Sequence, residues 1–162
     1  MKDLEFDDID SRLSLLRAQV HFADLGENAL QSLAGCARTT DWEAGSYLFR
    51  QGEPADSFYL IDAGRVVLEL FAGPRGRMRI QTLESGELLG WSWLFAPFRW
   101  HFDALALTAG RGLVFDAPAV RQLCEHDHEL GYQLQKRFSG MIVERLQATR
   151  LQLLDLHGGA AP

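Results

Sequence analysis

From Thr39 to Asp116 the sequence is cut into short apolar runs, and glycine or proline stands at most of the breaks. The runs are Tyr47–Arg50, Phe58–Asp62, Val66–Phe71, Arg77–Leu83, Ala104–Thr108 and Leu113–Asp116. Between them lie Gln51-Gly-Glu-Pro, Asp62-Ala-Gly, Ala72-Gly-Pro-Arg-Gly and Ala109-Gly-Arg-Gly. Runs of this length, rich in β-branched and aromatic residues, half-bury one face as strands, while glycine and proline supply the backbone of the turns. Many short strands in so small a space must close on themselves or stack as two antiparallel sheets. A jelly roll fits best.

Outside that region the periodicity is helical. Leu13, Leu16 and Val20 predict a first helix with Ser11 as N-cap, and Leu30, Leu33 and Ala34 predict a second over Glu27–Ala37 with Gly26 at its cap. Ala117–Glu125 reads as a short helix whose first turn tolerates Pro118. Asp127 then caps a long helix running to about Leu156. The expected fold class is α+β, mainly β: an antiparallel jelly roll with N-terminal helices before it and a long C-terminal helix after it. Residues 1–10 read as a flexible start, 11–116 as helices and roll, 117–157 as the C-terminal helices and 158–162 as a disordered tail.

Along the last helix Phe138, Ile142, Leu146, Thr149, Leu153 and Leu156 recur at steps of three and four, with Leu134, Met141, Val143, Leu151 and Leu154 beside them. A stripe this broad can lie on its own roll and also meet a second copy, so a homodimer through this helix is expected. The alternative is a helix folded wholly back on its own domain.

The chain of 162 residues is long enough for one domain with its own core. Its net charge of −6 gives no general attraction to nucleic acid, and Arg75, Arg77 and Arg79 read as a solvated hairpin. Cys36 and Cys124 sit in no metal or redox spacing and read as reduced thiols. No apolar run is long enough to span a bilayer, and the acidic N-terminus lacks the features of a secretion signal, so a cytoplasmic location is expected.

One stretch stands out chemically. Between Ser85 and Asp103 lie three of the four tryptophans (Trp91, Trp93, Trp100), three phenylalanines, Arg99, His101 and Ser92, opened by Gly86 and Gly90. Rings to stack on, a cation, a hydroxyl and glycine backbone suit a pocket for a flat, charged small molecule. Each ring could equally be core.

The run Phe49-Arg-Gln-Gly-Glu-Pro-Ala-Asp-Ser-Phe-Tyr-Leu-Ile-Asp-Ala-Gly-Arg-Val resembles the glycine-turn signature of cyclic nucleotide-binding domains. Gly45, Gly52, Glu53, Asp56, Tyr59, Ile61, Gly64 and Val66 carry the match, and Phe22-Ala-Asp-Leu-Gly resembles the segment before the family's first domain helix. The resemblance covers about residues 15 to 155. It implies that the aromatic stretch is the phosphate-binding cassette, in which a Glu meets the ribose 2′-hydroxyl and an Arg meets the cyclic phosphate, helped by backbone N–H groups at a short helix start. Gly86, Glu87 and Gly90 match that pattern, but Trp91 stands at the Glu position, Trp100 at the Arg position and His101 at the hydroxyl position. Losing both anchors costs about two to four decades of affinity unless other groups replace them. The candidate ligand-binding set is Gly86, Glu87, Leu88, Leu89, Gly90, Trp91, Ser92, Trp93, Arg99, Trp100, His101 and Phe102. Arg99, one residue from the Arg position in a shortened loop, is the candidate phosphate partner. Either these groups hold a ligand, or the indoles fill the pocket.

Two functions remain. The first is a stand-alone sensor, related to the catabolite-activator class, that binds a small effector (cAMP or cGMP first) and moves its C-terminal helix against a protein partner. Its acidity and the lack of a helix-turn-helix after that helix speak against direct DNA binding. The second is a dimeric interaction module with a degenerate cassette. A cupin-type enzyme would need clustered histidine and carboxylate ligands, yet only His101 lies in the β region. Neither catalysis nor a metal or other cofactor is expected.

Overall fold

The computed structural model describes residues 7–158. Helices α1 (Ile9–Arg17) and α2 (Glu27–Gly35) lead into eight strands, β1 (Ala37–Trp42), β2 (Tyr47–Phe49), β3 (Ser57–Ala63), β4 (Val66–Phe71), β5 (Arg77–Leu83), β6 (Leu88–Leu89), β7 (Asp103–Ala106) and β8 (Gly110–Asp116). Helices α3 (Ala117–His126) and α4 (His128–Gly158) close the chain. The strands form two four-stranded antiparallel sheets, ordered β1-β8-β3-β6 and β2-β7-β4-β5, which is the expected jelly roll.

Two strands were not expected. In β1 only the two ends, Ala37 and Trp42, are buried, so this edge strand shows no apolar alternation. β6 is two leucines long and too short to register as a period. The first helix starts earlier than Ser11. Asp8 is the cap, and its carboxylate accepts from the Ser11 N–H at 2.7 Å. The helix ends at Arg17, so Val20 lies beyond it and is exposed. Of the expected flexible start, residues 1–6 lie outside the described residues, whereas Asp7 accepts from Arg12 Nε and from the Thr39 N–H. Of the expected tail, 159–162 lie outside them and Gly158 ends α4.

The core lies between the sheets and continues under α4. Phe58 of β3 and Phe115 of β8 stack with centroids 4.5 Å apart, and the Trp93 ring stacks on Phe58 at 4.3 Å. Phe138 of α4 meets both Phe58 and Trp93 edge-on, so the first half of α4 is seated on the roll through Leu130, Leu134 and Phe138. Rings packed in this way contribute beyond their buried area. The outer half of α4 is different: Val143, Leu146, Leu151, Leu153, Leu154 and Leu156 are exposed.

Candidate functional site

The aromatic stretch folds as a hairpin-like excursion between β6 and β7. Gly86 and Gly90 turn it with φ of +88° and +99°. The turn at its start is tied by the Glu87 carboxylate, which accepts from the Glu84 N–H at 2.6 Å. Leu88 and Leu89 point into the core. After Gly90 the chain makes one turn of 3₁₀ helix, Ser92–Leu94, with Trp91 as its cap residue. A single turn offers far less than the helix start that the resemblance implied.

The return leg is held by the β2–β3 turn. Gly52 N–H donates to the Trp100 carbonyl at 2.9 Å and Trp100 N–H donates to the Glu53 carbonyl at 3.0 Å. Asp103, at the start of β7, accepts from the Gln51 N–H at 2.8 Å and pairs with Arg50 and Arg77. Burial pushes the Asp103 pKa up, but these donors outweigh it and hold the carboxyl below its ordinary value. From the far side α3 contributes Arg121, which donates to the Trp93 carbonyl at 2.7 Å and lies 4.3 Å over the Phe98 ring.

The three indoles take different positions. Trp93 is fully buried in the core stack. Trp100 lies flat on Phe49, with centroids 3.8 Å apart and planes 9° from parallel, and is 4% exposed. Gly90 makes this packing possible, since a Cβ there would sit 2.5 Å from Trp100 Cη2. Trp91 is half-buried and meets Phe102 edge-on at 6.0 Å. Ser92 is buried beside them. Arg99 and His101 are elsewhere. Arg99 is exposed and donates to the Gly52 carbonyl at 2.8 Å, which uses its guanidinium to brace the turn, and His101 is exposed to solvent.

The cation that does face the cassette comes from α4. The Arg145 guanidinium carbon lies 4.5 Å over the Trp91 ring, and Nε is buried without a hydrogen-bond partner among the described residues. Burial pulls its pKa down to about 10 against the weaker opposing pull of Glu87. Arg145 lies far along the chain from the aromatic stretch, and nothing in helical periodicity marks a cation that leans onto the roll. Phe49, Leu68, Leu89, Trp100 and Arg145 enclose a cavity of only about 10 Å³. That is the room of roughly one water, against several hundred Å³ for a typical ligand pocket.

A family model for the cyclic nucleotide-binding domain matches residues 39–127, which is more than half of the chain. The chain belongs to the cyclic nucleotide-binding domain family. It is 28% identical over 143 residues to a CRP-like cAMP-activated global transcriptional regulator of Mycobacterium tuberculosis, covering 88% of this chain and 61% of that one. A putative cyclic nucleotide-binding protein of Geobacter metallireducens has the same fold, with a TM-score of 0.74, 23% identity, and coverage of 82% of this chain and 96% of that one. The regulatory domain of Toxoplasma gondii PKA, co-crystallised with cAMP, superposes with a TM-score of 0.68 at 20% identity, over 82% of this chain and 50% of that one. The stretch from Gly86 to Phe102 lies within the residues that the family model matches. Among the described residues no group of three or more His, Cys, Asp or Glu side chains gathers to hold a metal, and no helix is long and apolar enough to cross a membrane.

Proposed function

We propose that the chain is a regulatory module that takes a small effector in its cassette, cAMP or cGMP foremost, and passes its occupancy to a protein partner through α4. The observation that carries this reading is the stack of Arg145 on Trp91. It joins the cassette to the last helix, so a ligand that moves Trp91 must move α4 or break the contact. Family membership and the cAMP-activated relative support a nucleotide as the ligand. The exposed leucines on the outer half of α4 support a homodimer built along that helix. No catalytic step belongs to this reading.

Because the cassette is packed, an effector must first open it. Each 1.4 kcal/mol or so spent on opening weakens the apparent affinity about tenfold. A second reading follows from the cavity of about 10 Å³: the cassette stays shut and the chain is a dimeric interaction module that binds no nucleotide. Titration with cAMP, cGMP and other nucleotides, followed by calorimetry and tryptophan fluorescence, separates the two. Heat with a change in emission is expected. Silence across the whole set would remove the sensor reading and leave the second.

A further inference from the structure

The innermost position of the cassette is occupied by the chain's own Trp100, stacked face to face on Phe49 at 3.8 Å. An indole is a fused five- and six-membered ring with the outline of a purine. The space it fills is ring-shaped by construction, since at Gly90 even a Cβ would strike its six-membered edge, 2.5 Å from Cη2 and 2.6 Å from Cζ3. The inner walls are Phe49, Leu68 and Leu89. An anion pushed to that depth would be buried without a cation, which is strongly unfavourable. Among the described residues, the one arginine that lines the cavity is Arg145 of α4, whose buried Nε has no hydrogen-bond partner among them. Arg99, on the cassette itself, is turned away to the Gly52 carbonyl.

We infer that this cassette receives a flat aromatic ring bearing one anionic group, ring first, so that the ring replaces the Trp100 indole on Phe49 and the anion faces Arg145. The inference rests on the effector reading above and specifies its ligand class and pose. Exchanging one bicyclic ring for another on Phe49 is nearly even in stacking. The gain comes from giving the unpaired Nε of Arg145 a charge-assisted hydrogen bond. Trp100 is then a displaceable plug, and the anion ends on the helix that carries the signal.

The test uses the full chain, with indole, indole-3-acetate, cAMP and cGMP as probes in calorimetric titrations. Trp100→Ala vacates the ring site, and Trp100→Leu serves if the alanine variant does not keep the wild-type circular dichroism spectrum. The vacated site is expected to bind indole-3-acetate at least tenfold tighter than indole, and adding Arg145→Met is expected to abolish that preference while indole still binds. In the unsubstituted chain, millimolar indole-3-acetate is expected to shift the Trp100 indole N–H signal in a ¹H–¹⁵N spectrum. Equal affinity for the two indoles, a preference that survives Arg145→Met, or an unmoved Trp100 signal each overturns the inference. If cAMP and cGMP do not bind but the Arg145-dependent preference appears, the ring-first site stands and the effector is not a cyclic nucleotide. If cAMP binds and Arg145→Met leaves its affinity unchanged, the effector reading stands and the ring-first pose falls.

Discussion

Removing the charge of Arg145 should make the ligand-free protein more stable. Burial lowers the pKa of this guanidinium from its ordinary value to about 10. Each tenfold change in proton affinity corresponds to about 1.4 kcal/mol, so the folded state pays about 3 kcal/mol to keep the charge at neutral pH. Stacking on Trp91 returns about 1–2 kcal/mol of this, as a partly desolvated cation–π contact does. Arg145→Met keeps an apolar stem of similar length over the ring and discards the charge. The expected outcome is a gain of about 1–2 kcal/mol in urea unfolding at pH 7, or about 2–8 °C in melting temperature for a chain of this size. The sign can be followed with pH. Below pH 10 folded and unfolded chains both carry the proton and the penalty is complete; above about 10 the folded state sheds it first and the penalty fades. The advantage of Arg145→Met should therefore be flat from pH 6 to 9 and shrink above 10. A variant less stable than wild type by more than about 1 kcal/mol would refute the reasoning, since it would mean that the guanidinium is well partnered in the folded state.

Gly90→Ala combines a left-handed backbone position, φ +99°, with a Cβ 2.5 Å from Trp100, and should cost about 2–4 kcal/mol in chemical denaturation with loss of near-UV ellipticity. Part of that cost should disappear in a Trp100→Ala background, and full additivity would show that the two residues do not compete for the same space. Asp103→Asn should cost about 1–3 kcal/mol at pH 7, because the carboxylate is buried against Arg77 and Arg50. The Asp103 contribution is complete above the ordinary value of 3.8 and is lost as pH falls through the lowered folded value, so wild type and variant should converge in melts taken at acid pH. Leu146→Glu with Leu153→Glu, seven residues apart on the exposed side of α4, should halve the mass found by sedimentation equilibrium. An unchanged mass would place any dimer elsewhere or exclude one.

The roll was legible because its turns are written in glycine and its strands in short apolar runs. β4 and β5 fall at their expected limits, Val66–Phe71 and Arg77–Leu83. What escaped was short or one-sided. β6 takes its identity from its partner Tyr59–Leu60, a long-range pairing that no local window contains. β1 is fixed by its register with β8 rather than by apolar content of its own. Ser11 was a reasonable cap by type, but the donor–acceptor relation ran the other way, with Asp8 accepting from the Ser11 N–H. In the aromatic stretch, Trp91 and Trp100 fall, by counting along the motif, where the family resemblance implies the two anchors. Their packing does not follow from counting: a tryptophan at a ligand position reads equally as a wall, a stacking platform or a plug. The stacking on Phe49 and the close approach to Gly90 appear only once the chain is folded. Arg145 approaches the site through the crossing of α4 over the roll, a tertiary relation with no trace in its own neighbourhood.

The sheet order leaves β5 with one open side. α4 runs beside its later residues, where Ile80, Gln81 and Thr82 share a groove with Ala148, Thr149 and Gln152. Arg77 and Met78 lie outside that groove and Arg79 lies at its border, and all three are exposed. An uncovered strand with free N–H and C=O groups is a template on which another chain can add itself. Here two arginines flank the single apolar residue, so a second copy arriving edge to edge brings like charges together. Arg77 is also tethered inward by Asp103, which keeps its charge in place at that edge. Arg77 and Arg79, which read in the sequence as part of a solvated hairpin, thus oppose edge-to-edge addition at this border of the roll.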